Sequence, residues 1–306
     1  MSSTRVFGEA EVSARFGCFG GECSVLVTGP REDAERAVAE ARSQLYAWHD
    51  RFTRFVDTSE LSKLNADPRR TVPVSASMAL FVAVAIDAAQ LTDGLVDPTL
   101  VRAIEDAGYT TDLGTSMPLR LALGLAPERH PAQPHPSGSW RSVDVDIEGR
   151  TVTRPPGVRI DSGGIAKGLF ADMLSERLKN FAASAVDCAG DLHVGGTPRV
   201  VNVASPLDDR MLHSFELADA GIATSGIGRR SWLAYGRPAH HLLDPATGRP
   251  AFTGIVQATA IAPTAALAEV RAKAALLSGP AEAERWLPDG GVLVFDDGSH
   301  AVIDQD

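Results

Sequence analysis

The feature that most constrains this chain is the segment of residues 161–168, which has the sequence DSGGIAKG. A short apolar segment before it predicts a strand, and apolar residues at helical spacing after it predict a helix. Two adjacent glycines let a backbone approach a ligand closely, and a helix start presents unpaired N–H groups and the positive end of a dipole. Lys167 adds a cation and Asp161 a carboxylate, so the segment predicts a phosphate site, with a divalent cation as an option. A tight strand-to-helix turn without a ligand explains the segment equally well.

Helices and strands are mixed along the 306 residues without strict alternation. Periodic or continuous apolar stretches predict helices over residues 32–52, 77–91 and 265–277, and strands over residues 23–28, 186–194, 200–203, 257–261 and 292–295. This mixture favours an α+β fold over a doubly wound sheet. We expect a single domain over residues 1–306, with the Pro-, Gly- and Ser-rich residues 110–139 as a surface excursion.

Composition excludes several classes of function. The net charge of −10 argues against a nucleic-acid or anionic-membrane surface, so we expect no nucleic-acid partner and no membrane insertion. No apolar run approaches the length of a membrane span, and the first residues do not resemble a secretory signal. Cys18, Cys23 and Cys188 are scattered and do not form a disulfide framework. We therefore expect a reduced, cytoplasmic protein, whose oligomeric state the sequence leaves open.

Four further polar segments carry residue types that catalysis uses: residues 52–65, 95–99, 223–226 and 241–248. Each also has a plainer explanation. Ser59 is a suitable cap for a short helix, and both Thr-Ser-Gly and Asp-Pro-Ala-Thr-Gly are good turn sequences. His241, which follows His240, is equally well explained as a surface histidine.

Taken together and in this order, the segments resemble the FAD:protein FMN transferases of the ApbE family. The resemblance runs over residues 19–279, and its specific motifs are Gly-Gly-Ile-Ala-Lys-Gly and His-x-x-Asp-Pro-x-Thr-Gly. It implies a single α+β domain with mixed or antiparallel sheets, packed helices and FAD in a central cleft. It also implies an enzyme that moves FMN from FAD to a Thr or Ser hydroxyl of an acceptor flavoprotein and releases AMP.

The resemblance further implies roles for individual residues. The catalytic candidates are Lys167, His241 and Asp244, with His241 as the base that takes the proton of the acceptor hydroxyl. The metal candidates are the carbonyl of Ala166 and the carboxylate of Glu269, which imply Mg²⁺. The candidates for FAD binding are Glu60, Asn65, Asp97, Gly163, Gly164, Lys167, Thr224, Ser225, Gly226, His241 and Thr247.

The sequence departs from the family pattern most consequentially in its last predicted helix. Where relatives usually carry an Asp and a Thr as metal ligands, this chain has Glu269 and Lys273. A carboxylate can ligate a hard cation, but an ammonium cannot. Lys273 could instead supply a fixed positive charge in the role of the cation. The alternative is an ordinary i,i+4 ion pair on the helix surface, so the need for Mg²⁺ stays open at this point.

Milder departures concern two other places. The family's Asn-Ala-Gly-Gly-Asp is Asp-Cys-Ala-Gly-Asp at residues 187–191, and Phe55 stands where relatives usually have Tyr. These changes leave two alternatives to the transferase. One is an FAD pyrophosphatase that gives FMN and AMP, and the other is an FAD-binding or flavin-trafficking protein with altered catalysis. Because a fold alone does not give a function, the chemistry of the site has to decide.

Overall fold

The computed structural model describes residues 9–111 and 116–304 of the chain. Residues 112–115, which belong to the predicted surface excursion, lie outside the described residues, as do 1–8 and 305–306. The helices are α1 (Arg31–Phe52), α2 (Glu60–Ala66), α3 (Ala76–Leu91), α4 (Val101–Asp106), α5 (Leu119–Leu125), α6 (Ala166–Leu178) and α7 (Ala265–Ser278). In the described part of the chain, no helix combines the length and the apolar character needed to cross a bilayer.

The strands are β1 (Glu9–Cys18), β2 (Gly21–Pro30), β3 (Thr71–Pro73), β4 (Asp144–Asp146), β5 (Thr151–Thr153), β6 (Ala183–Cys188), β7 (Asp191–Gly196), β8 (Arg199–Ala204), β9 (Met211–Leu217), β10 (Ala220–Gly226), β11 (Ser231–Ala234), β12 (Arg237–His240), β13 (Leu243–Asp244), β14 (Arg249–Pro250), β15 (Ile255–Ala262), β16 (Gly291–Phe295) and β17 (His300–Ile303). Eight of them form one sheet in the order β1-β2-β6-β7-β10-β15-β16-β17. Every neighbouring pair in it is antiparallel. Strands from both ends of the described chain therefore share one sheet, and the predicted α+β fold is confirmed.

Three helices cover this sheet and bring the site residues to it. Helix α1 packs on β1 and β2, α6 on β6 and β7, and α7 on β10 and β15, while α6 and α7 also contact each other. The apolar spacing of α1 produces one buried stripe, made of Ala34, Val38, Ala41, Leu45, Trp48 and Phe52. Helix α7 is instead buried on almost all sides, because it lies between the sheet and α6. The three predicted helices agree with α1, α3 and α7 to within one residue at each end.

Glycines allow α7 to approach its neighbours closely. A Cβ atom on Gly168 of α6 would lie 2.5 Å from the carbonyl oxygen of Ala265, at the start of α7. A Cβ atom on Gly221 of β10 would overlap the backbone of the same residue. Side chains cannot fit at these two positions without a shift of the backbone. Glycine at positions 168 and 221 therefore allows α6, α7 and β10 to pack this closely.

Three predicted local structures are wrong, and two of them lie in the large sheet. Residues 186–194 form two antiparallel strands, β6 and β7, and not one strand. The chain reverses at Ala189 and Gly190, whose φ angles are 58° and 103°. Gly190 is an ordinary turn signal, and the Asp187 side chain accepts its N–H at 2.7 Å, but the prediction of a single strand overlooked it. The predicted turn at residues 223–226 is a strand instead, because all four residues pair with β15 and Ala223 also pairs with β7.

The segment before the glycine-rich turn is also not a strand, although it was predicted as one. Its Ile160 exchanges two hydrogen bonds with the side chain of Asn65, and the Asp161 N–H donates to the Pro98 carbonyl at 2.8 Å. A side chain thus takes the place of a neighbouring strand. The polar loop after α1 contains α2, which begins after Ser59, whose hydroxyl accepts the N–H of Ser62 at 3.0 Å. The helix-cap interpretation of Ser59 is confirmed.

Residues 110–139 contain more regular structure than their composition suggests. Helix α5 lies within them, and its Leu119 and Ala122 are buried, as is Ala132 further along. The Ala132 N–H donates to the carbonyl of Leu277 on α7 at 2.9 Å. The second half of this segment is therefore tied to the helix that carries Lys273.

Candidate active site

Seven of the fifteen predicted site residues share one cavity. It lies between the end of α1, the first turn of α6, α7 and the segment that follows β12, and its empty volume, including the part open to solvent, is about 1270 Å³. Seven residues named from the sequence line it: Asp97, Gly163, Gly164, Ala166, Lys167, His241 and Lys273.

Lys167 enters the cavity from the second position of α6, and two acidic side chains hold it. Its ammonium forms an ion pair with Asp191 of β7, and a carboxylate oxygen of Glu269 on α7 lies 3.7 Å away. Burial opposes the charge of Lys167, but Asp191 and Glu269 outweigh burial and hold its pKa above the ordinary value. Glu269 also accepts the Gly168 N–H at 3.0 Å. Elements α6, α7 and β7 thus meet around a lysine that stays charged.

The glycine-rich turn before α6 presents its backbone to the cavity. Asp161 Oδ1 accepts the Gly163 N–H at 3.2 Å and holds the turn. The N–H groups of Gly164 and Lys167 have no hydrogen-bond acceptor in the described part of the chain. Lys273 reaches the same turn, since a Cβ atom on Gly164 would overlap its Nζ. The turn therefore combines open N–H donors, a helix start and two ammonium groups, which suits an anion.

His241 lines the cavity with an unpartnered imidazole nitrogen. Its Nδ1 is buried and has no hydrogen-bond partner among the described residues. Burial first, and then the neighbours Arg230, His240 and Lys273, lower the pKa of His241 well below its ordinary value. The adjacent His240 is only 1% exposed, and burial lowers its pKa to about 3. His241 itself is half-buried in the cavity wall and its Nδ1 has no partner there, so it is not an ordinary surface histidine and offers a neutral imidazole that can accept a proton.

A carboxyl group and an aromatic stack complete the lining. Asp97 accepts hydrogen bonds from the N–H and hydroxyl of Thr99, at 2.7 and 2.5 Å, while burial raises its pKa. The Arg54 guanidinium lies over the rings of Phe55 and Tyr109, with its central carbon 4.4 and 4.8 Å from their centroids. Flat cationic and aromatic groups of this kind suit a planar heterocycle beside the anion-binding turn.

Comparison with known proteins identifies the family. The model of the ApbE family matches residues 19–294, which is most of the chain. The chain belongs to the ApbE family. The resemblance that the sequence motifs indicated is therefore confirmed.

Several relatives in the ApbE family are named enzymes. The FAD:protein FMN transferase of Salmonella typhimurium is 27% identical over 234 residues, which are 73% of this chain and 65% of that protein. The FAD:protein FMN transferase of Escherichia coli K12 is 25% identical over 294 residues, which are 87% of this chain and 78% of that protein. The crystal structure of the ApbE protein from Thermotoga maritima has a TM-score of 0.79 at 24% identity and covers 96% of this chain and 97% of its own. The structural likeness shows the fold.

Two positions that the ApbE resemblance assigns to FAD binding hold the protein frame together. Glu60 accepts hydrogen bonds from the N–H and hydroxyl of Ser75 at 2.6 and 2.8 Å, which fixes the start of α3. Asn65 donates to the Ile160 carbonyl at 2.8 Å and accepts its N–H at 2.7 Å. Neither residue lines the cavity as the described residues form it. Their assignment to FAD stays a prediction.

The ApbE motif at residues 241–248 splits into two parts. Its Asp244 accepts the Thr247 hydroxyl at 2.7 Å and the backbone N–H of Gln133 at 2.8 Å. The Gly248 N–H donates to the Asp244 carbonyl at 2.8 Å, so the turn interpretation of this sequence is confirmed. Among the described residues, those that line the cavity include His241 but not Asp244 or Thr247. The roles predicted for Asp244 and Thr247 stay predictions.

The predicted flavin-contacting residues 224–226 lie within the sheet. The hydroxyls of Thr224 and Thr259 are 2.9 Å apart across β10 and β15. Ser225 is buried, and Gly226 pairs with Gln257 in the same ladder. None of the three lines the cavity in the described part of the chain, so their role in flavin binding stays a prediction.

Three residues of the site had no role in the sequence analysis. Asp191, which holds Lys167, is the aspartate that residues 187–191 share with the ApbE pattern, and that shared residue was a usable signal. Arg230 lines the cavity and donates to the Phe19 carbonyl at 2.8 Å, but it follows a loop without a motif. Arg54 is identified by its contacts with two rings, which only the fold reveals.

The donor set does not suit Mg²⁺, which prefers oxygen ligands in octahedral geometry. Glu269 and Asp191 already bind Lys167 and the Gly168 N–H, and the Lys273 ammonium lies at the turn that would complete the site. In residues 9–111 and 116–304, no three His, Cys, Asp or Glu side chains are grouped to hold a metal ion. The surface ion pair between Glu269 and Lys273 is likewise not found there. Lys273 thus belongs to the cavity.

Proposed function

We propose that this chain is an FAD:protein FMN transferase, which moves FMN from FAD to a Thr or Ser hydroxyl of an acceptor flavoprotein and releases AMP. The observation that carries the proposal is that the glycine-rich turn, Lys167 and His241, which are distant in sequence, line one cavity. The named transferases among the relatives support the same activity.

The chemistry of transfer explains why the cavity needs cations and open N–H groups. The acceptor oxygen attacks the phosphorus on the riboflavin side of the diphosphate and forms a new P–O bond. The bond from that phosphorus to the bridging oxygen breaks, and AMP leaves with the bridging oxygen. Negative charge grows on the departing phosphate. Lys167 and the N–H of Gly164 would neutralise that charge, which is the main source of catalysis in this class of reaction.

The acceptor hydroxyl must also lose its proton. His241 is suited to take this proton, because burial and nearby cations keep its imidazole neutral. A positioned base of this kind contributes about a hundredfold to ten-thousandfold to a rate. The proton then passes from His241 to solvent as the product leaves.

The finer parts of the proposal rest on the sequence. They are the acceptor flavoprotein, the cytoplasmic location and the need for Mg²⁺. No step described above depends on Mg²⁺, because the residues present do not suit it as a ligand set. A chelator in the assay tests the Mg²⁺ expectation directly.

The test is to incubate the purified chain with FAD and an acceptor domain of proven competence, with Mg²⁺ or with EDTA, and to follow the acceptor by intact-mass spectrometry. We expect the acceptor to gain the mass of FMN. Lys179→Met is a matched control, because Lys179 is an exposed lysine paired with Glu176, and it should leave the transfer intact.

Other outcomes of this assay would replace the proposal. Release of free FMN and AMP without an acceptor would indicate an FAD pyrophosphatase. Tight FAD binding without turnover in either buffer would indicate a flavin-binding protein. An acceptor that never gains mass in the presence of FAD would contradict the transferase.

A further inference from the structure

Two lysines approach the glycine-rich turn from different helices, and only one of them has an acidic partner. Lys167 is paired with Asp191 and lies near Glu269. Lys273 has no hydrogen bond or ion pair in the described part of the chain, although it lies close to Gly164. Lys273 is half-buried, and an ammonium that is partly withdrawn from water without a partner is stabilised when an anion joins it.

The surroundings of Lys273 define which anion would fit. The open N–H groups of Gly164 and Lys167 lie at the start of α6. A helix start and paired ammonium groups bind phosphate oxygens well, and two linked phosphates can contact both lysines at once. Two carboxylates, Asp191 and Glu269, already neutralise part of the charge of Lys167. Lys273 therefore adds a positive charge at the turn that no directly bonded carboxylate of the described residues neutralises, and Arg230 adds another in the cavity wall.

The protonation of Lys273 responds to such a ligand. Burial lowers the pKa of Lys273, with the carboxylates around it opposing that effect. A phosphate anion beside Nζ would favour the charged form and raise the pKa again. Lysine also acts as a compact point charge without fixed geometry, as a metal ion does toward phosphate oxygens.

We propose that Lys273 is the resident cation of this cavity, which binds the diphosphate of a nucleotide together with Gly164 and Lys167, so that binding needs no divalent metal. This inference rests on the proposed function for the identity of the nucleotide, FAD. It concerns the binding step, and therefore can be tested without any acceptor or turnover.

The experiment is isothermal titration calorimetry with ADP, which carries a diphosphate and no flavin, in buffers with EDTA or with MgCl₂. We expect the wild-type chain to bind ADP with a similar Kd in both buffers. Lys273→Met should weaken binding in EDTA by about tenfold to a hundredfold, which is typical for the loss of a charged hydrogen bond. Lys273→Thr should regain affinity when MgCl₂ is added, because its hydroxyl can ligate the metal. Lys179→Met serves as the control lysine, and thermal melting confirms that each variant is folded.

The possible results separate this inference from the proposed function. Two results would overturn the role of Lys273 and leave the transferase proposal standing. One is a wild-type affinity for ADP that falls more than tenfold in EDTA. The other is a Kd of Lys273→Met equal to that of Lys179→Met. A wild-type chain that binds neither ADP nor FAD in either buffer would overturn both. Unchanged ADP binding in EDTA with a large loss in Lys273→Met supports the inference.

Discussion

Two regions of the molecule carry residues that belong to sequence motifs: the junction of α6 with α7, and the segment of residues 240–248. They differ in how many of those residues face the cavity. At the junction, Lys167 and Lys273 come from separate helices and both line the cavity. In the segment, His241 lines the cavity, whereas Asp244 and Thr247 bond to each other and close a turn. Polar atoms that a local turn requires are occupied by that turn. At the helix junction, by contrast, long-range packing brings Lys273 and the open Gly164 N–H to one place, where both remain available to a ligand.

The largest effect is expected at the helix junction. Lys167→Met should lower the FMN transfer rate by about a thousandfold or more, because it removes a cation from the breaking diphosphate. The measurement is a single-turnover assay by intact mass, with Lys179→Met beside it. Lys167→Arg keeps the charge opposite Asp191 and shows whether a loss comes from chemistry or from folding. If Lys167→Met retained a tenth of the wild-type rate, the helix junction would not be the more important of the two regions for transfer.

The second effect concerns His241, the cavity-lining residue of the other region that can take a proton. His241→Gln should lower the transfer rate by about a hundredfold or more, since it removes the base. Because the pKa of His241 is well below its ordinary value, the base form persists as the pH falls through about 6.5. The wild-type rate should therefore show no histidine titration between pH 7.5 and 6. A tenfold loss of rate per pH unit in that interval would point to a solvated imidazole instead.

The buried His240 should make folding stability depend on pH. Its pKa is about 3 in the folded chain and about 6.5 when unfolded, so below pH 6.5 the unfolded state binds the extra proton. The stabilisation is present above pH 6.5 and is lost as the pH falls toward 3, by about 2 kcal/mol at pH 5. Urea denaturation at pH 7.5 and 5 measures it. In His240→Gln, the free energy of unfolding should lose that part of its pH dependence. An equal pH dependence in the wild type and the variant would show that His240 is not its source.

The smallest effect is expected at the turn. Asp244→Asn should reduce the free energy of unfolding by about 1 kcal/mol, because it weakens the bonds to Thr247 and Gln133. We expect transfer to stay within about tenfold of the wild type, less than a lost catalytic base would cost. Thermal melting and the mass assay measure both quantities. If the transfer rate fell by more than about a hundredfold while thermal melting stayed normal, Asp244 would have a direct role in the reaction.

The sequence predicted those parts of the structure whose cause is local. The apolar periods of α1 and α7 and the cap at Ser59 depend on neighbours within one or two turns, and they were recovered. The reversal at Ala189 carried a local signal in Gly190, but one glycine between two strand-like stretches did not distinguish a turn from a single strand. The direction of Lys273 had no local signal, because a Glu four residues before a Lys is the pattern of an exposed helix. Only the burial of α7 between the sheet and α6 turns that lysine inward.

Gly168 and Gly221 both lie against Ala265 at the start of α7. This close packing limits substitution at the two glycines far more than at position 273. The charge at position 273 can be exchanged for a hydroxyl or a methyl group by a single substitution, and the helix that carries it need not move. One added carbon at either glycine would push that helix away from its neighbours. A substitution at position 273 can thus change the charge of the cavity without moving its walls, whereas a substitution at Gly168 or Gly221 moves the walls themselves.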